Sequence, residues 1–288
     1  MKIRAPAKIN LYLRVVGKRP DGYHLIDTVM LPISLYDEIE IRKLKTDGRR
    51  AREVPPITVT CDHPQVPGGK RNLVFRAAEL IMKTAQLEQP VAIHIRKKIP
   101  VGAGLGGGSS DAAATLVGLN RLFHLGYAKR KLEKLGLVLG ADVPFFIARR
   151  PARARGIGER LTPLKQLPVF WLVVLYPGFP VSTAWAYGQL RPKLTKPKVN
   201  TSITSSLRRF AKLRELLVND LEAVTIAGYP RIGTLKEHLR REGADGVVMS
   251  GSGSSVFGVF AARRKASRAF RRLKQVKGGQ AFLVRILM

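Results

Sequence analysis

Cysteine is nearly absent from this chain of 288 residues. Cys61 stands alone, so no internal disulfide can form, and the usage fits a reducing compartment. Long apolar runs are missing as well. The longest, residues 169–176, lies between Pro168 and Pro177-Gly178; it is too short to cross a bilayer and suits a buried strand. Lys2, Arg4 and Lys8 break up any apolar leader, so the expectation is a cytoplasmic protein that is not exported. Aromatics make up only 7% of the chain, and no zinc, homeodomain or RNA-recognition signature occurs. Acidic residues are scarce: 20 against 51 Lys and Arg, a net charge of +31. That imbalance is the main case for a nucleic-acid binder. Against it, the cations are spread along the chain, and diffuse basicity also attracts small polyanionic substrates. At 45% apolar content the chain is long enough for one large domain or two modest ones.

Glycine is plentiful, and one stretch concentrates it. In Pro100-Val101-Gly102-Ala103-Gly104-Leu105-Gly106-Gly107-Gly108-Ser109-Ser110-Asp111, five glycines fall within seven residues, followed by two hydroxyls. Before it, Val91, Ile93 and Ile95 alternate as in a strand; after it, residues 112–125 predict a helix. Glycine permits positive φ and close backbone approach. A loop of this kind entering a helix turns several N–H groups, and the positive end of the helix dipole, toward one point, which is an anion site. A flexible linker would not stand between a strand and a strong helix. The Walker pattern fails because Ser109, not lysine, follows Gly108. The dinucleotide pattern is formally met by Gly102, Gly104 and Gly107, but the acid expected about 20 positions on is replaced by Lys129, Arg130 and Lys131.

Along the chain, residues 3–16 predict a strand with Ile9, Leu11, Leu13 and Val15 on an apolar face. Lys8 and Asn10 share the other face, about 7 Å apart. Taken alone, Lys8 is a solvated strand lysine, and Tyr23 with His24 is packing plus a surface imidazole. Residues 17–22 are turn chemistry. Strands follow around Ile39 and Ile41 and over 57–61, with a polar loop over 46–56. Asn72 caps a helix, and residues 128–139 form another that ends at Gly140. Val143 precedes Pro144 and is expected outside the helical region, leaving Asp142 at a break, in the plain reading a cap. Residues 149–158 are the candidate boundary between an N-terminal α/β domain, 1–155, and a C-terminal α+β domain with an antiparallel sheet, 156–288. In the latter, 191–206 predicts a loop, and Phe210, Leu213, Leu217 and Leu221 predict a helix. A further helix over 232–242 stops at Gly243, and residues 250–255 form a second small-residue loop between strands.

The glycine stretch closely resembles the Pro-x-x-x-Gly-Leu-Gly-x-Gly-Ser-Ser loop of the GHMP small-molecule kinases. Four further segments occur in that family's order: residues 6–11, Asp21-Gly22-Tyr23-His24, residues 140–146 and residues 249–254. The Pro-Ala-Lys-Ile-Asn and Gly-Ala-Asp-Val-Pro segments resemble the branch acting on a cytidine-diphosphate-linked methylerythritol. The resemblance implies the two-domain GHMP fold, ATP and Mg2+, and phosphoryl transfer to a hydroxyl of that substrate. It implies Asp142 as base and Lys8 as its partner. It implies Asn10, Tyr23, His24, Thr183 and Tyr187 at the substrate, with the two tyrosines sandwiching the cytosine. Pro100, Val101, Gly102, Ala103, Gly104, Leu105, Gly106, Gly107, Gly108, Ser109 and Ser110 would hold the phosphates, with Ser110 also a metal contact. The partner expected is a small molecule, with no specific nucleic acid and no membrane, for a monomer or weak homodimer. A homoserine- or mevalonate-type GHMP kinase is the nearest alternative; a basic nucleic-acid-binding protein is the alternative of another class. Arg149-Arg150-Pro151 departs from the small residues the family more often has there.

Overall fold

The computed structural model describes residues 1–45, 55–165, 167–190, 210, 214–275 and 277–288. They form two compact units interleaved in sequence. One comprises Met1–Ala7, Tyr36–Val101 and Gly107–Arg149; the other comprises Lys8–Leu35, Gly102–Gly106 and Arg150–Met288. The long strands β1 (Lys2–Lys18) and β2 (His24–Lys43) supply residues to both.

In the first unit, β3 (Ile57–Cys61) pairs in parallel with β4 (Val91–Arg96), and β4 pairs antiparallel with the end of β2, Ile39 opposite Ile95. Helix α1 (Leu73–Thr84) starts as expected: Asn72 Oδ1 accepts from Val74 N at 2.8 Å. Its buried residues Val74, Ala77, Ala78, Ile81 and Met82 keep helical spacing. Helix α2 (Gly107–Leu122) begins inside the glycines, five residues before its expected start, and packs against α1 and α4 (Val143–Ala148). It lies close to the strands: a Cβ on Gly118 would come within 2.5 Å of Ile41 and 2.6 Å of Ile3. α3 (Lys129–Leu139) precedes α4.

Two expectations fail here. Val143 is the first residue of α4, with Pro144 in the first turn, where the missing proline N–H costs nothing. β1 is not half-exposed, since Ala5 through Leu13 are buried on both faces, Lys8 and Asn10 included. Arg149 ends α4 in the left-handed region (φ 53°), where glycine is usual. Its amide donates to Phe145 O, and its guanidinium donates to Arg4 O at 2.9 Å.

In the second unit, β5 (Ala152–Gly156) pairs with β2 and with β6 (Arg160–Pro163). Arg153 makes a buried two-pronged pair with Asp27, Nε to Oδ1 at 2.7 Å. An antiparallel sheet runs β11 (Gln280–Arg285), β7 (Trp171–Tyr176), β10 (Val256–Phe260), β9 (Gly246–Met249), as the sequence leads one to expect. Its helices are α5 (Thr183–Gly188), α6 (Glu222–Gly228), α7 (Arg231–Arg241) and α8 (Arg263–Leu273). The expected loop over 191–206, much of 46–56 and Leu213 of the expected helix lie outside the described residues. Leu217 and Leu221 are not on one helix: β8 (Val218–Asn219) pairs in parallel with β1 between them. Among the described residues no helix is long and apolar enough to cross a membrane.

Candidate active site

The glycine stretch divides between the two units, and each part has its own support. In the second unit, Gly102, Gly104 and Gly106 have φ of 63°, 74° and 71°. Residues Gly102–Gly106 lie against the second small-residue loop. Ser250 Oγ donates to Gly104 O at 3.0 Å, Ser255 N to Ala103 O at 3.1 Å, and Lys8 N to Leu105 O at 2.9 Å. A Cβ on Gly104 would fall 2.1 Å from Ser250 O and 2.9 Å from Gly253 O. One on Gly251 would meet Gly104 O at 3.2 Å and both Asn10 Oδ1 and Lys8 Nζ at 3.3 Å. Small residues are therefore required on both sides, and they bring two backbones beside Lys8 and Asn10.

Lys8 is 5% exposed, not solvated as expected, and its Nζ donates to Asn10 Oδ1 at 2.5 Å. Asn10 Nδ2 donates to Thr28 Oγ1 at 2.8 Å, and Thr28 donates to Tyr12 O at 2.5 Å. The ammonium is thus held at the end of a buried polar chain. Asn219, which the sequence did not single out, anchors the loop below: its Nδ2 donates to Met249 O at 2.8 Å and Gly251 O at 2.7 Å, while its Oδ1 accepts from Leu221 N. Tyr187 stacks on His24 with ring centroids 5.1 Å apart, and Tyr23 is 61% exposed. Burial, and to a lesser degree the Lys18 ammonium, hold His24 below its usual range. Thr183 Oγ1 and Ser252 Oγ lie 3.0 Å apart.

In the first unit are Pro100, Val101, Gly107, Gly108, Ser109, Ser110 and Asp142. Asp142 precedes α4 with φ −81° and ψ −16° and makes no side-chain capping bond. Close packing fixes α4: a Cβ on Gly136 would lie 2.8 Å from Val143 and 2.9 Å from Ile147. Under the first turn of α2 lies a buried charged cluster that sequence reasoning missed. Lys97 Nζ donates to Asp37 Oδ2 and, at 2.8 Å, to Asp111 Oδ2. Asp37 Oδ1 also accepts from Lys98 N at 2.6 Å and Ile99 N at 2.8 Å. A Cβ on Gly107 would be 2.8 Å from Lys97 Nζ. Burial pushes Asp111 up to about 7, opposed by Lys97 and reinforced by the charge of Asp37. Burial works against the charged form of Lys97, but Asp111 and Asp37 together leave it raised. Ser110 Oγ and Asp111 Oδ1 are buried with no hydrogen-bond partner among the described residues. No group of three His, Cys, Asp or Glu able to hold a metal occurs among those residues.

A buried lysine against a glycine loop in one unit, and a glycine-led helix start in the other, are each features that phosphoryl transfer uses. The sequence matches the GHMP kinases N terminal domain over residues 72–150 and the GHMP kinases C terminal over residues 203–277. The chain is a GHMP kinase, a class that uses ATP as phosphate donor. The 4-diphosphocytidyl-2-C-methyl-D-erythritol kinase of Citrifermentans bemidjiense is 46% identical over 287 residues, 100% of this chain and 99% of that one. A crystal structure of 4-(cytidine 5'-diphospho)-2C-methyl-D-erythritol kinase, 37% identical, superposes with a TM-score of 0.81 over 99% of both chains. Within the GHMP class, the chain belongs to the family of these cytidine-diphosphate methylerythritol kinases. A homoserine kinase from Cytophaga hutchinsonii, 18% identical with a TM-score of 0.75 over 100% of this chain and 97% of that one, shares the fold.

Proposed function

We propose that this chain transfers the γ-phosphoryl group of ATP to a hydroxyl, the 2-position being expected, of 4-diphosphocytidyl-2-C-methyl-D-erythritol, in the cytoplasm and as a monomer or weak homodimer. The observation that carries the reading is the full-length 46% identity to a kinase of that name. The homoserine-kinase likeness is one of fold alone.

Asp142 accepts the proton of the attacking hydroxyl, and the Lys8 ammonium offsets charge on the transferred group. Residues 100–110 hold the ATP phosphates, the backbone N–H donors lying within 101–110 because Pro100 has none. Asn10, His24 and Thr183 bind the acceptor, with Tyr23 and Tyr187 on the cytosine; a ring face in that role is worth about 1–3 kcal/mol per base. In this reading residues 1–155 carry the phosphate loop and residues 156–288 contribute to acceptor binding. Magnesium fits the donors present. The Ser110 hydroxyl is an oxygen with no protein partner among the described residues, and Mg2+ commonly takes few protein ligands, completing its shell with phosphates and water. When bound, it neutralises charge on the β- and γ-phosphates.

Coupled ADP release tests the proposal, with the cytidine-linked methylerythritol, homoserine and mevalonate offered as acceptors. Turnover confined to the first is expected; preference for either of the others would move the chain to another GHMP acceptor. Asp142→Asn is expected to bind both substrates and to lose about 10²–10⁴-fold in kcat.

A further inference from the structure

Helix α8 is far more basic than a small-molecule kinase requires. Residues 263–274 hold seven Lys and Arg and no acid. At about 100° per residue, Lys265, Arg272, Arg268, Arg264 and Arg271 share an arc of about 120°. All five are exposed, while Ala266, Ala269 and Leu273 on the opposite side are buried, the helix packing on β7, β10 and β11. Among the described residues, only Arg272 of the five has a carboxylate partner, Glu242 at 3.3 Å. That pair spans a groove of about 300 Å³ between α7 and α8, lined by His238, Arg241, Glu242, Arg272, Leu273 and Gln275. The cationic run covers about 12 Å along the axis, the rise of about three to four base steps of duplex DNA.

We infer that the exposed face of α8, with the adjoining α7–α8 groove, is a docking surface for the phosphodiester backbone of a nucleic acid, separate from the kinase site. Charge complementarity carries the assignment. Five cations spread along the helix exceed what one small anion can engage, and a polyphosphate engages them together. A lipid surface fits less well, because a helix lying in a membrane inserts its apolar side, and here that side is already covered by the sheet. An acidic protein partner fits less well too: the arc has no Tyr or Trp to anchor an interface. The same lack of exposed aromatics leaves nothing to stack on bases, so binding is to the backbone and independent of sequence. Net charge of +31 is thereby partly localised, which diffuse attraction of ATP does not require.

The test is fluorescence anisotropy of a labelled mixed-sequence 20-base-pair DNA duplex titrated with the full chain from 50 to 300 mM salt. Four or five phosphate contacts give a log–log salt slope of about −4. The triple variant Arg264→Glu/Arg268→Glu/Arg271→Glu is expected to bind more than tenfold more weakly at 100 mM salt and to lose about 2–3 units of slope. The control Lys83→Glu/Arg130→Glu/Lys134→Glu changes net charge equally and is expected to stay within about threefold of wild type. ADP release by both variants is expected at the wild-type rate and reports their folding. The corresponding Arg→Gln triple repeats the test if charge reversal impairs folding. Equal weakening of the two triples, unchanged binding by the α8 triple, or preference for phosphatidylserine vesicles over the duplex would each overturn the inference.

Discussion

The two parts of the glycine stretch are held by opposite means. Gly102–Gly106 is held by neutral backbone: carbonyls of residues 250–255 approach so closely that a single added carbon on Gly104 would sit 2.1 Å from Ser250 O. The start of α2 is held by charge, with Lys97 bridging the buried Asp37 and Asp111 beneath it. The first support tolerates no side chain where the backbones meet. The second tolerates the loss of no single ion, because the ions left behind would be buried unpaired. One sequence signature therefore covers two mechanical problems, and substitutions separate them.

The largest effect is expected at Gly104. Gly104→Val forces a branched side chain into a position with positive φ and backbone on the facing side, and urea unfolding is expected to register a loss of more than about 4 kcal/mol. A stable Gly104→Val protein would mean that the close approach of the two loops does not depend on glycine at this position. Next is Lys97→Met, which leaves Asp37 and Asp111 without their shared cation at a cost of about 3–5 kcal/mol. Adding Asp111→Asn to Lys97→Met is expected to recover part of that cost in a double-mutant cycle, and strict additivity would show that the cluster does not act as a unit.

A third effect sharpens the contrast through pH. Asp111 sits at about 7 when folded, against about 3.9 for an unperturbed aspartate. Between those values the folded chain holds a proton that the unfolded chain has released, so this group's contribution to stability falls as pH rises from about 4 to about 7. The difference in unfolding free energy between wild type and Asp111→Asn is expected to drift in that direction over that window. A flat difference would remove the buried, proton-holding carboxyl from the account.

What the sequence disclosed follows from where the relevant physics is local. Asn72 as a cap, Gly243 as a stop and the alternation in β4 are matters of a few adjacent residues, and they were legible. β2 was legible only near Ile39 because Asp27, Thr28 and Asp37 interrupt its apolar pattern. Each of these is buried by a partner distant in sequence: Arg153, Asn10 and Lys97 respectively. Leu217 and Leu221 keep helical spacing, yet Asn219 between them is drawn into a bridge with β1 and into holding the 249–251 backbone. Val143 was misjudged because the restriction before proline was weighed without the licence that a helix's first turn gives. Of the candidate site, the glycine loop was legible from residue type and spacing. Lys8 looked solvated because Thr28, which anchors its partner Asn10, lies on another strand, β2. The Lys97 cluster left only a weak trace, a lysine pair just before the loop and an aspartate just after it.

The central claim is that backbone approach along the glycine stretch makes the ATP phosphate site, and calorimetric titration of Gly106→Val tests it most directly. ATP and the cytidine-linked acceptor are titrated separately into wild type and variant, with thermal melting as the check on folding. The account predicts that ATP affinity falls at least tenfold while acceptor affinity stays within about twofold, because the side chain occupies a position with φ of 71° in the loop proposed to hold the phosphates. Wild-type ATP affinity in a folded Gly106→Val protein would contradict it.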